Sequence, residues 1–168
     1  MINRRLAICL TVAALAAAWL LPSPAARAQQ SFQRFVPFLI DLPGWEGNKP
    51  DGMALEIAGS SMITATRGYE RGAARLNAQV ITGPAAQAAL AATGTGIKIE
   101  TSELRMGTST IDGLQVTRTF TASLKSGAIL VALSADAVFT LTFTGVAEDE
   151  ALTLAQKFDW KAIQEQVK

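Results

Sequence analysis

The chain has 168 residues, with 15 Lys and Arg against 14 Asp and Glu, no histidine and one cysteine. Without histidine there is no Ser-His-Asp or Cys-His catalysis, no His-ligated haem and none of the usual His/Cys zinc sites. A formal charge of +1 leaves no basic footprint for nucleic acid.

In chain order, Met1-Ile2-Asn3-Arg4-Arg5 is a short basic start, and Leu6 to Leu21 is an almost unbroken apolar run. Pro22-Ser23-Pro24-Ala25-Ala26-Arg27-Ala28 adds breakers and small residues ahead of Gln29. This pattern predicts a secretory signal peptide over 1–28, with cleavage after Ala28. The apolar run of 16 residues falls short of the ~18–20 that span a bilayer. Arg4-Arg5 runs straight into the apolar core, which argues against a twin-arginine signal. Ile8 is too large for the position before a lipidated Cys9. The expected location is therefore the periplasm, with no stable membrane anchor after cleavage. Removing 28 of the 168 residues leaves 140, one domain over 29–168. That mature chain has no cysteine and must stand on its core without disulfides.

Phe32, Phe35, Val36 and Leu39 have helical spacing, and Pro37 predicts that the helix is short or kinked. Two turn signatures follow, Leu42-Pro43-Gly44-Trp45 and Lys49-Pro50-Asp51-Gly52. Met53, Leu55 and Ile57 then alternate as in a strand. Residues 61–82 read as a hairpin about Arg71-Gly72. In that register Tyr69 faces Ala74 and Arg67 faces Leu76, with Ile63, Ala65 and Val80 on the same apolar face. Pro84 and Gly94 bracket an Ala-rich helix over 84–92. Strands are expected near 97–106, 108–111 and 114–121, with Asp112-Gly113 as a hairpin turn. A further hairpin joins 128–134 to 137–144, with Ala128, Leu130 and Ala132 beside Phe139, Leu141 and Phe143. Glu148-Asp149-Glu150 opens a helix at the end its dipole favours, and Asp159 caps a last short one. These elements predict an α+β domain, a central and mainly antiparallel sheet with helices packed on it.

The side chains left for function are carboxylates, Arg and Lys, hydroxyls, Met and Trp. The acids at 148–150 and at turns Asp112 and Asp136 have structural explanations, so no catalytic residue is assigned. Met53, Met62 and Met106 are thioethers that suit copper(I) but are also common core filler. Arg67 stands out because a guanidinium on an inward face needs a partner or a cleft. Arg67, Arg71 and Arg75 gather around Tyr69 at the end of the first hairpin. Trp45 is read first as a fastener of the N-terminal segment, and as a ligand contact second. Trp45, Arg67 and Tyr69 are the candidate binding residues, with no metal or cofactor assigned.

Leu42-Pro43-Gly44-Trp45 with Pro50, Arg67-Gly68-Tyr69 to Gly72, Ile111-Asp112-Gly113 and Phe158-Asp159-Trp160 together resemble small, uncharacterised exported bacterial proteins. More remotely, the element order over 35–165 is similar to PsbP-like α/β sandwiches. That resemblance implies a layered α/β sandwich and an accessory or partner-binding role, and it carries no site residue across. The expected function is an exported, periplasmic, non-catalytic binding or accessory protein acting on a protein partner or small ligand. The alternatives are a carboxylate-dependent hydrolase and a Met-based copper-handling protein.

Overall fold

The β-branched and aromatic residues that crowd 60–82 and 104–144 favour a pleated, half-buried surface, and the chain forms one there. The computed structural model describes residues 31–57, 59–93 and 98–167. The signal-peptide reading of 1–28 lies outside them. The strands are β1 (Glu46–Gly47), β2 (Asp51–Ile57), β3 (Ser60–Arg71), β4 (Ala74–Thr82), β5 (Ile99–Glu100), β6 (Leu104–Ile111), β7 (Leu114–Thr121), β8 (Ser126–Ser134) and β9 (Ala137–Thr144). They make one sheet in the order β1-β3-β4-β9-β8-β7-β6-β5, with β2 also paired to β3. Every pairing is antiparallel. The helices are α1 (Pro84–Thr93), α2 (Glu148–Ala155) and α3 (Trp160–Glu165), with a 3-10 turn at Val36–Phe38.

The expected PsbP-like α/β sandwich is not the architecture. The protein is a large antiparallel sheet of nine strands carrying short helices. Dimensions explain the difference. Eight strand positions about 4.8 Å apart make a sheet roughly 34 Å wide. The 10 residues of α1, the 8 of α2 and the 6 of α3 give rods of only about 15, 12 and 9 Å. Such helices cannot roof both faces. α2 packs on β8 and β9, α3 on β8, and α1 on β3, β4 and β9.

The core therefore lies mainly on one face. There Tyr69, Leu76, Val80, Val116, Ile129 and Leu141 are buried, together with Phe35, Leu39, Phe158 and Ile163 from the segments above them. Phe158 meets Phe139 at 5.0 Å and Tyr69 edge-on at 6.3 Å between ring centroids. Asp159 caps α3 as expected, its Oδ1 accepting from Ala162 N at 2.9 Å. The covered face also needs thin spots. A Cβ on Gly127 would sit 2.1 Å from Thr119 O and 2.8 Å from Phe143 Cζ, so only glycine lets the Phe143 ring lie flat there.

Two registers differ from expectation. The β3–β4 turn is Gly72-Ala73 rather than Arg71-Gly72, so Tyr69 faces Leu76 and Arg67 faces Ala78. A two-residue shift preserves side-chain faces, and the predicted apolar set stays together. In β8–β9 the shift flips faces. An irregularity between Ala132 and Ser134 puts Ile129 opposite Leu141 and Val131 opposite Phe139. Ile129, Val131 and Leu133 are thus the buried set, and Ala128, Leu130 and Ala132 point the other way. A bulge adds one residue to one strand, which a count from the turn does not reveal. Met53 and Leu55 also face away from the core, at 58% and 43% exposure.

Candidate functional site

Arg67 and Tyr69 come together as a clasp between β3 and the segment before β1, and Trp45 joins that segment to the sheet through Arg71 instead. Side chains at 67 and 69 share the covered face because strand residues alternate. Arg67 Nε donates to Asn48 O at 2.8 Å and Nη1 to Leu39 O at 2.8 Å. Its Nη2 pairs with the Asp41 carboxylate. The guanidinium carbon stands 5.2 Å from the Tyr69 ring centroid. Tyr69 OH donates to Ile40 O at 2.8 Å. Burial pushes its phenol up to about 12, against the opposing pull of Arg67. One turn further along the sheet, the Arg71 guanidinium lies 4.3 Å from the Trp45 ring and pairs with Glu150 at 2.6 Å. Trp45 is 8% exposed. These residues tie residues 39–48 to the sheet and leave little surface for a ligand.

The acids at 148–150 start α2, and two of them reach the sheet. Glu148 lies 3.2 Å from Arg105 and 3.9 Å from Arg118, and Glu150 meets Arg71. They serve packing between helix and strands. The methionines do not converge. Met106 is on β6 and Met62 on β3, five strand positions apart, roughly 24 Å at the usual spacing. A copper site built from Met53, Met62 and Met106 is thereby ruled out. Among the described residues no three of Asp or Glu gather as metal ligands.

A broad concavity lies on the opposite, open face, and the sequence did not point to it. It is a depression of about 660 Å³. The ladder registers give its layout. Glu46 faces Glu70, Glu70 faces Arg75, Arg75 faces Thr144, Thr144 faces Ser126 and Ser126 faces Thr121. This single row of polar side chains crosses β1, β3, β4, β9, β8 and β7. A second row beside it runs Gly68, Asn77, Thr142. Gly68 keeps the floor low next to Asn77. Asn77 Oδ1 accepts from Thr66 Oγ1 at 3.0 Å, which holds the amide in place.

The charges sit at one end. Glu70 pairs with Arg75 at 3.4 Å, while Glu46 has no ion-pair partner among the described residues. Two carboxylates on adjacent strands are mutually repulsive, and one guanidinium leaves that end negative. A hydrolase reading needs one carboxyl protonated by desolvation. Both glutamates are exposed, so this pair lacks that environment. Tyr69, Leu76 and Phe143 also contribute to the groove lining, although their side chains lie on the covered face by strand alternation. The groove's chemistry is hydrogen bonding plus a negative end.

No family model, no curated protein and no solved structure matches this chain.

Proposed function

We propose that the protein is an exported, non-catalytic binding or accessory protein that holds an extended, polar segment of a partner in the open-face groove, with a basic group seated at the Glu46–Glu70 end. One observation carries this reading. A row of hydrogen-bonding side chains crosses six strands of a solvent-open sheet face and ends in two glutamates offset by one arginine. The spacing suits a ligand that makes many modest hydrogen bonds, each worth ~0.5–1.5 kcal/mol net, rather than one held by a few strong contacts. The signal-like residues 1–28 support the periplasm as the place of action, and a net charge near −2 after their removal supports a partner other than nucleic acid.

The test uses two short peptides, Ala-Lys-Ala and Ala-Glu-Ala, titrated into isotope-labelled protein. The lysine peptide is expected to shift the amides of Glu46, Glu70, Asn77 and Thr142, and the Glu46→Gln variant to weaken that response several-fold. Equal shifts from both peptides, or shifts confined to other surfaces, would refute the assignment. Mass spectrometry of protein recovered from the periplasm is expected to give a chain beginning at Gln29.

A further inference from the structure

The polar row of the groove does not stop at Thr121. One strand further on, Thr121 faces Leu104 of β6. Residues opposite each other in a ladder share a face, so Leu104 stands on the open face at the end of the row, 39% exposed. Its outer side is closed by Thr101, whose N donates to Leu104 O and whose Oγ1 accepts from Leu104 N. A line of hydroxyls thus finishes on an apolar side chain. Leu124 lies close by and is 67% exposed. It belongs to the turn between Thr121 and Ser126, the two residues at that end of the groove. Ala122 N ties this turn to β6 by donating to Glu103 O at 2.8 Å. Glu103 and Lys125 are both exposed there and carry opposite charges, so this end is neutral as well as apolar.

Single exposed leucines are ordinary, but these two are not scattered. Among the described residues the exposed large hydrophobics are Met53, Leu55, Leu104 and Leu124. Met53 and Leu55 face Thr64 and Met62. They lie at least six residues along β3 from Glu70, roughly 20 Å away at ~3.4 Å per residue. The other two close the row. Its ends are therefore unlike. Two glutamates offset by one arginine stand on β1, β3 and β4, and two leucines stand on β6 and the β7–β8 turn, with Thr144, Ser126 and Thr121 between them.

From these ends we infer, resting on the groove reading above, that the groove selects an extended peptide segment with two anchors on one side, a basic residue and an apolar residue eight positions apart. The basic side chain sits at Glu46 and Glu70, and the apolar one rests on Leu104 and Leu124. The spacing follows from the sheet. The way from between Glu46 and Glu70 to Leu104 crosses five and a half strand intervals, about 26 Å at ~4.8 Å each. An extended chain advances ~3.3 Å per residue and covers that length in about eight. Side chains an even number apart leave an extended chain on the same side, so both anchors reach the floor together. A spacing of seven or nine would turn one of them to solvent.

Capped nine-residue peptides of Ser and Thr test it, titrated into isotope-labelled protein. One carries lysine at one end and leucine at the other, one carries leucine four residues from the lysine, and one carries lysine alone. Each is made in both chain directions, and the tighter direction is compared. The first is expected to bind about tenfold more tightly than the other two, a difference of ~1.4 kcal/mol. It is expected to shift the amides of Leu104, Thr121 and Leu124 as well as those of Glu46 and Glu70. Leu104→Ser is expected to remove the gain while leaving the affinity of the leucine-free peptide unchanged, and Leu124→Ser to reduce the gain. Both side chains already meet water, so both variants are expected to keep the wild-type circular dichroism. Lysine peptides that bind without a gain from the distant leucine, an equal gain from the nearer leucine, or a gain that survives both substitutions would overturn the two-anchor segment and leave the groove reading standing. Failure of every lysine peptide to shift Glu46 and Glu70 would remove the groove reading and the two-anchor segment with it. A concentration-dependent dimer in sedimentation velocity that Leu104→Ser abolishes would assign the leucines to a second copy and overturn the segment too.

Discussion

Replacing Arg67 and its partner Asp41 separately should have very different costs, although the two form one ion pair. The Arg67 side chain is 11% exposed and that of Asp41 is 91% exposed. Arg67 also donates to two backbone carbonyls, Asn48 O and Leu39 O, each at 2.8 Å. Hydrogen bonds from a charged donor contribute ~1.5–3 kcal/mol each, so Arg67→Ala is expected to cost roughly 3–5 kcal/mol. That is a large part of the ~5–15 kcal/mol that holds a domain together. Asp41→Ala removes only a solvent-screened contact, worth ~0.2–1 kcal/mol. Arg67→Lys should fall between them, because one ammonium does not reproduce the guanidinium's forked geometry. Urea denaturation followed by circular dichroism gives all three values. The same series followed by tryptophan emission reports whether Trp45 comes loose first. If Asp41→Ala costs as much as Arg67→Ala, the ion pair and not the carbonyl clasp holds the segment. If Arg67→Ala costs less than 1 kcal/mol, there is no clasp.

Tyr69 is the one tyrosine in the chain, so absorbance at the tyrosinate band reads it alone. Its phenol is expected to titrate near 12 in the folded protein and near 10 in urea. The native state then holds the proton more tightly, so the stabilisation is complete below pH ~10 and is lost as pH rises toward 12. A shift of this size corresponds to about 3 kcal/mol. A folded-state midpoint near 10 would show that the ring is open to water. Trp45 and Trp160 are both buried. A Trp160→Phe protein with its first 28 residues removed should therefore emit in the blue and resist iodide, and Arg71→Ala should make Trp45 quenchable. Ready quenching before the substitution would restore Trp45 as a ligand contact.

Local pattern carried much of the fold. The faces of β3 and β4 followed from alternation even though the turn was placed one residue early, which shifts each cross-strand partner by two. Asp112-Gly113 and the Asp159 cap were visible because a turn and a cap each depend on neighbouring residues. Arg67 was conspicuous because its alternation placed a charge among apolar residues. Two things were hidden. The bulge after Ala132 inverted β8, and no residue type announces it. The groove depends on β9 returning beside β4, a pairing across roughly 60 residues. Its members, among them Glu46, Asn77, Thr142 and Ser126, are ordinary strand residues one at a time. The alternating threonines at 117, 119 and 121 and at 140, 142 and 144 were the one local hint, and they read equally well as a solvated face.

The division of polar capacity between the two faces argues for where binding occurs. On the covered face, Arg67, Arg71, Arg105 and Arg118 each lie near a carboxylate, from Asp41, Glu150 and Glu148. Of these, Arg67 is the one well out of water, at 11% exposure, and an unpartnered charge there would be costly, while Arg71 and Arg105 are about half exposed. The Arg67 guanidinium and the Tyr69 hydroxyl, bonded to backbone carbonyls, are therefore committed to stability, and altering them should destabilise the fold first. The open face is under no such demand. Glu46, Thr142 and Thr144 are exposed, so a ligand can reach them without dismantling the core. A sheet wider than its helices can roof thus separates the residues that hold the fold from those free to bind. Substitutions at Glu46 or Asn77 should accordingly change binding while leaving the denaturation midpoint nearly where it was.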